Sequence, residues 1–189
     1  MMVPFIKQDR GSSAIEIALF LPLLIGVLLI SADLYSINRI RGLFEQSSHN
    51  LASILSQQSK LNQKSFDYLI DSVLPADVLG DYSLVVSKVN LDRSMDWRPI
   101  YRGELEDICT ENYQGGKYIG EIPEEDEDVK SQSFVVVQLC RMTTDLTMNS
   151  GLLGDKLVES IAVNRMVHHS VELDETLSKE VGVDDEKEY

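Results

Sequence analysis

Hydrophobic residues are distributed very unevenly along this chain. An apolar run extends over residues 14–32, and Glu16 near its start is the one charged residue within it. A helix that spans a bilayer needs about 20 residues, and counted from Ser12 to Ala32 the run is just long enough. The run therefore predicts one membrane-spanning helix, with the basic residues Lys7 and Arg10 ahead of it on the cytoplasmic side.

Pro22 stands inside this apolar run. Proline cannot donate a backbone hydrogen bond and crowds the preceding turn, so it predicts a kink or a loosened turn over residues 18–22. Such a proline is tolerated in a membrane helix.

Past the apolar run, hydrophobic positions recur at three- and four-residue steps, which predicts that the helix continues to about residue 60. They are Ile37, Ile40, Phe44, Leu51, Ile54 and Leu55. Two interpretations of this stripe stay open. It is the core face against a C-terminal domain, or it is a face that pairs with a second helical protein.

The remaining pattern predicts a small α+β domain over residues 61–171. A short helix is expected at 66–74, and strands at 82–92, 97–103, 118–119, 133–143 and 160–171, with Pro99 placing the second strand at a sheet edge. Helices followed by strands without alternation favour an antiparallel sheet. The charged segment 172–189 is low in aromatic residues and is predicted to be disordered.

Charge narrows the range of partners. The formal net charge is -14 and the sequence pI is about 4.5. Nucleic-acid binding needs lysine and arginine to neutralise phosphates, so nucleic acid is not an expected partner. The same acidity argues against a soluble domain that lies on anionic lipid.

The two cysteines, Cys109 and Cys140, both follow the apolar run. In an exported domain they predict one disulfide, whereas in the cytosol they would be two thiols. The disulfide would close a loop of about thirty residues and stabilise the fold by ~3–4 kcal/mol. A catalytic or metal-binding role is not expected, because the sequence has no C-x-x-C motif.

No catalytic or cofactor motif stands out elsewhere. The acidic run at residues 124–128 lacks the spacing and glycine of an EF-hand, so a solvated loop is expected rather than a calcium site. His168 and His169 would point to opposite faces of a strand, which does not favour a shared metal. We therefore expect no enzyme activity, no metal and no cofactor.

The start of the chain has three interpretations. A basic leader with small residues at Ser31 and Ala32 fits a cleaved secretory signal, although Glu16 fits it badly. A plain signal anchor tolerates Glu16 near one end of the span, where the carboxylate reaches the headgroups. The third takes Gly11 and Glu16 together, since a glycine, five residues ending in glutamate and a long apolar stretch resemble a type IV prepilin signal.

Glu16 itself has two interpretations. Ser13 and Glu16 match the S-x-x-E capping box, which stabilises a helix start by about 1 kcal/mol. Alternatively, cleavage after Gly11 makes Ser12 the new N-terminus, and Glu16 pairs with its ammonium group or with that of a neighbouring subunit. We favour the second, because capping does not account for Gly11, the basic leader and the retained apolar segment together.

The segment "RGSSAIEIALFLPLLIGVLLISADLYSINRIRGLF" resembles the N-termini of TadE/TadF-like pseudopilins of the tight-adherence (Tad) pilus system. The continuation "INRIRGLFEQSSHNLASILSQQSKL" is closer to the TadF type. The major Flp pilins of these systems are far shorter and carry Glu-Tyr where this chain has Glu16 and Ile17. The resemblance therefore points to a minor pilin rather than to the filament-forming subunit.

This resemblance implies a pilin-like fold with a leader at 1–11 and a membrane and stem helix at 12–60. It implies cleavage after Gly11 by a prepilin peptidase, and partnership with a second pseudopilin, the major pilin and the inner-membrane assembly platform. The chain would cross the bacterial inner membrane once, with a periplasmic C-terminal domain, and could enter an extracellular pilus. A signal-anchored exported binding domain outside any pilus is the alternative.

Overall fold

The computed structural model describes residues 10–75, 80–123, 132–144 and 155–183, with side chains described from Ile15 onward. The helices are α1 (Arg10–Ser56), α2 (Gln63–Val73) and α3 (Glu175–Val181). The strands are β1 (Lys60–Leu61), β2 (Ser83–Asn90), β3 (Ile100–Gly103), β4 (Tyr113–Gln114), β5 (Lys117–Tyr118), β6 (Ser133–Met142), β7 (Leu157–Arg165) and β8 (Glu172–Leu173).

The centre of the domain is a four-stranded antiparallel sheet in the order β3-β2-β6-β7. The two central strands, β2 and β6, are covered on both faces and are buried along almost their whole length, whereas the edge strands β3 and β7 alternate between buried and more exposed residues. A long N-terminal helix followed by a domain with an antiparallel sheet confirms the predicted α+β class.

The C-terminal half of α1 packs against one face of this sheet. Ile40, Phe44, Leu51 and Leu55 are buried in the same cluster as the inward-facing residues of β2 and β6. The core-face interpretation of the hydrophobic stripe is therefore correct for these positions, while Ile54 remains 37% exposed. The stem is thus an integral part of the domain and not a separate element that ends where the domain begins.

Helix α2 begins where Asn62 accepts a hydrogen bond from the backbone N–H of Ser65 at 2.8 Å, as expected for an N-cap. It presents Phe66 and Ile70 to the core and ends at Val73, just before Pro75. The predicted helix at 66–74 is confirmed, and its start lies three residues earlier because the cap belongs to Asn62.

The other face of the sheet is covered by the connection between β3 and β6. Gly115 and Gly116 both have positive φ, and they form the turn of the β4–β5 hairpin. Tyr118 at the end of this hairpin packs with Val89 and Val136 of the sheet. Without this cover the second face would be exposed to solvent.

The C-terminal segment differs from its prediction. Residues 172–183 were expected to be disordered, but β8 pairs in parallel with β1, and α3 follows. Within α3, Leu177 and Val181 are buried in the main core. Two apolar residues four positions apart dock the helix, although the surrounding composition is highly charged.

The boundaries of β7 also differ. The predicted strand spans 160–171, whereas the observed strand runs from Leu157 to Arg165. His168 and His169 lie in a bend after the strand and not on it. The backbone N–H of Val167 instead donates to the carbonyl of Ser56 at 2.9 Å, which ties this bend to the end of α1.

Candidate membrane anchor and processing site

The N-terminal half of α1 extends beyond the domain. Its large apolar side chains between Ile15 and Leu29 are 37% to 71% exposed around the whole helix. By length and composition this is the one helix in the described part of the chain that could cross a membrane, with a mean hydropathy of 2.5 over its most apolar window. A surface that is apolar on every side is stable in lipid rather than in water.

Polar groups on this part of α1 are satisfied within the helix. The Ser31 hydroxyl donates to the carbonyl of Val27 at 2.8 Å, and the Ser36 hydroxyl donates to the carbonyl of Ala32 at 3.0 Å. Such internal bonds are required where water is excluded. The serines at the end of the apolar run are therefore compatible with a position at the membrane boundary.

The backbone of Gly11 and Ser12 lies inside α1, since the helix begins at Arg10. Glu16 is exposed and lies in the second turn. The backbone of Ser13 also lies inside α1, after Arg10, whereas the predicted capping box would place Ser13 at the start of the helix; the Ser13 side chain lies outside those that the structure describes. An N-cap residue must lie outside the helix for its side chain to reach the free backbone N–H groups.

Pro22 lies in the interior of α1, and the helix continues through it. Its ring nitrogen cannot donate to the carbonyl of Ala18, so one backbone acceptor is left inside the apolar segment. The helix nevertheless continues past Pro22, so the proline does not end it. Whether the axis bends at residues 18–22 stays a prediction.

At Asp33 the helix enters the domain. Asp33 is fully buried, whereas the adjacent Leu34 and Tyr35 are 47% and 70% exposed. One side of the helix thus already faces protein at this level, while the opposite side still faces the surroundings. The change from lipid-compatible helix to packed stem therefore takes place between Asp33 and Ile40, the first buried apolar residue of the stem.

Cys109 and Cys140 form a disulfide, with a Cα–Cα distance of 5.5 Å, as the sequence predicts for an exported domain. Cys140 is fully buried on β6, and Cys109 lies in the loop that follows β3. The bond holds that loop against the sheet. An open cavity of about 250 Å³ lies beside the loop, lined by residues that include Tyr101, Leu105 and Asp107.

A polar network next to the disulfide supports the same loop. The side-chain amide of Gln138 donates to the carbonyl of Thr110 at 2.8 Å and also contacts the carboxylate of Glu159. The Thr110 hydroxyl donates to that carboxylate at 3.0 Å. These groups hold one another in place and fix the loop beside the disulfide.

An ion pair between the buried Lys88 and the half-exposed Asp96 was not anticipated. The Lys88 side chain is 3% exposed and donates to Asp96, and the amide of Asn90 donates to the same carboxylate at 2.7 Å. Burial raises the pKa of Asp96, but the bonds from Lys88 and Asn90 outweigh it, so the net pKa is lowered. The available signal was the alternation in β2, which places Lys88 on the same face as Leu84 and Val86.

Other candidate groups are separate. His49 is exposed on α1, and His168 and His169 are exposed in the bend after β7. No cluster of three or more histidines, cysteines or carboxylates within the described ranges could hold a metal ion. The acidic run at 124–128 lies outside the described residues.

Comparison with protein-family models, with curated proteins and with solved structures finds no significant match to this chain.

Proposed function

We propose that this chain is a minor pilin, or pseudopilin, of a Tad-type pilus, processed after Gly11 and retained in the inner membrane by α1 until assembly. The observation that carries the proposal is one continuous helix of 47 residues. Its exposed apolar half suits a bilayer or a helical filament core, and its other half is fixed to an antiparallel sheet.

The N-terminal pattern supports the processing step. In the uncut chain Glu16 lies in the second turn of α1. Cleavage after Gly11 would move the helix start to Ser12 and bring Glu16 to the fifth position, beside the positive end of the helix dipole and a new ammonium group. The carboxylate then neutralises a charge that would otherwise be unpaired in an apolar setting.

The disulfide supports export of the domain. Disulfides persist in oxidising compartments such as the periplasm, and the pair joining Cys109 and Cys140 is partly buried. The domain therefore belongs on the periplasmic side, with the leader in the cytoplasm. This feature is shared with the alternative function, a signal-anchored binding domain, so the N-terminus decides between them.

The deciding experiment is the mass of the mature N-terminus after co-expression with a prepilin peptidase. A chain that begins at Ser12 supports the proposal, and Gly11→Leu should block the cut. Gly26→Ala is the matched control, because Gly26 has open space around it and should leave processing unchanged. A mature chain that begins at Asp33 would indicate a secretory signal, and one that begins at Met1 would indicate a plain anchor.

Glu16 provides the test of assembly. We expect Glu16→Ala to be processed normally but to abolish or strongly reduce pilus formation, because the terminal ammonium loses its partner. Glu45→Ala is the matched control, since Glu45 is an exposed carboxylate on the same helix and pairs only with Arg41 at the surface. Wild-type piliation in the Glu16→Ala strain would exclude the pairing role.

A further inference from the structure

We infer that the junction of α1 with the domain binds the phosphate groups of anionic phospholipids through Arg39 and Arg41, in the leaflet on the domain side. The inference rests on the membrane insertion of α1 in the proposed function, and not on its processing or on a pilus. Two arginines directly after a membrane span, on the side of an acidic domain, need a reason to be there.

The length of the span places these arginines. Residues 15–34 would extend about 30 Å as helix, which matches the hydrocarbon thickness of a bilayer. Tyr35, 70% exposed, then lies at the headgroup level where tyrosine is preferred. Arg39 and Arg41 follow about 8 and 10 Å beyond the span, within reach of the headgroup layer.

The direction of the side chains favours the membrane. In an α-helix each side chain leans toward the helix N-terminus, which here is the bilayer side. The long side chains of Arg39 and Arg41 can therefore extend back to the phosphates while their Cα atoms remain beyond them. Tyr35 and Arg39, four residues apart, lie on the same face of α1.

The guanidinium groups of Arg39 and Arg41 are accessible to a phosphate group. Arg39 is exposed and makes no ion pair within the part of the chain that the structure describes. Arg41 pairs with Glu45 at 3.2 Å, with the two side chains 66% and 56% exposed. Such a surface pair is weak and can be exchanged for a phosphate. The carboxylate nearest to them on the membrane side, Asp33, is fully buried, whereas Arg39 and Arg41 are exposed.

Phosphate is the ligand that suits this arrangement. The guanidinium group presents paired N–H donors that match phosphate oxygens. A chain with a net charge of -14 would otherwise be repelled by an anionic membrane surface. Arg39 and Arg41 give the junction a local positive charge, so the domain can remain close to the bilayer from which α1 emerges.

The test uses the full chain reconstituted in mixed phosphatidylglycerol and phosphatidylcholine vesicles, with each lipid spin-labelled in turn. Electron paramagnetic resonance then measures the motionally restricted fraction of each lipid. We expect a preference for phosphatidylglycerol of up to about fivefold per arginine at low salt. The double substitution Arg39→Gln and Arg41→Gln should remove most of it.

Two controls separate this site from general charge effects. Lys64→Gln removes an exposed charge distant from the span. Lys7→Gln with Arg10→Gln removes the charges at the other end of the span. Both variants should still prefer phosphatidylglycerol, and that preference should still be lowered by the double arginine substitution. An unchanged preference in the double arginine variant overturns the inference while leaving the proposed function intact. Extraction of the chain by alkaline carbonate overturns the insertion on which both depend.

Discussion

Arg102 joins three elements at one end of the domain. From β3 its guanidinium donates to Glu180 on α3 at 2.6 and 3.0 Å and to Asp67 on α2 at 3.0 Å. It also lies 5.4 Å from the ring centroid of Phe66. A lysine cannot reproduce this forked contact, so the position depends on the shape of the guanidinium as well as on its charge.

We expect Arg102→Ala to lower the free energy of unfolding by about 2 kcal/mol, because it removes several charge-assisted hydrogen bonds at a partly buried site. Arg102→Lys should recover less than half of the loss. Urea unfolding followed by Trp97 fluorescence measures both. Lys60→Ala is the control, since Lys60 and Glu172 are 76% and 69% exposed and such a surface pair contributes little to stability. Equal losses in the two alanine variants would contradict the assignment.

Asp174 makes the docking of α3 sensitive to acid. One carboxylate oxygen accepts the backbone N–H of Leu177 at 2.9 Å, and the other accepts that of Gln63 at 2.8 Å. The bond from Leu177, and next that from Gln63, hold the pKa of Asp174 below its usual value. A lowered pKa means that the stabilisation is complete above about pH 4 and is lost as the pH falls through the folded pKa.

The pH dependence of the melting temperature tests this role. Asp174→Asn retains a single carbonyl oxygen and so keeps only one of the two bonds; its melting temperature should be lower at pH 7. The difference from the wild-type chain should shrink as the pH is lowered below 4, because protonated Asp174 loses the same advantage. A difference that stays constant from pH 7 to pH 3 would show that the charge has no part in it.

Residue types alone did not predict which polar side chains are paired inside the domain. Lys88 and Asp96 look like surface residues in the sequence, and their pairing depends on the alternation of β2 together with the loop that follows it. The cysteine pair was predictable because only two cysteines exist. The roles given to Gly11 and Glu16 come from sequence pattern, and the structure adds that the backbone of both residues is helical.

At the scale of elements, long periodic segments were predictable and short ones were not. The stripe through Phe44 and Leu51 extends over many turns, so it predicted an apolar face of α1, and the core-face interpretation is the one that the structure bears out at these positions. Strands β1 and β8 have two residues each, too few for any periodicity. The helix α3 is short and mostly charged, so its composition suggested disorder, although Asp174 before it is a good cap and Gly182 ends it in the left-handed conformation.

The buried residues of α3 give a prediction for the whole element. Leu177 is fully buried, so Leu177→Ala should destabilise the domain by about 2–5 kcal/mol through lost contacts and a cavity. Thr176→Ala, at an exposed neighbouring position, should change stability by less than about 0.5 kcal/mol. Hydrogen exchange would then show faster exchange in α3 and β8 for the Leu177 variant alone. Similar stability for both variants would mean that α3 is not docked in solution.

At the scale of the whole molecule, α1 serves two environments with one continuous helix. Before Asp33 in the chain, its apolar side chains are exposed. After Asp33, the apolar side chains of one face fill the domain core. The stripe of buried apolar residues begins at Ile40, after the all-round apolar surface has ended. The domain should therefore be separable from the anchor, but only if the cut leaves the stem intact.

Two truncations test this division. A chain that begins at Ser31 keeps Asp33, Ile40 and Phe44, and we expect it to be soluble, monomeric and cooperatively folded with its disulfide formed. A chain that begins at Gln46 lacks all three, and loss of Phe44 alone costs about 3–5 kcal/mol, close to the whole stability of a small domain. We expect this shorter chain to aggregate or remain unfolded. Size-exclusion chromatography and near-ultraviolet circular dichroism distinguish the two, and equal folding of both chains would show that the stem is not part of the core.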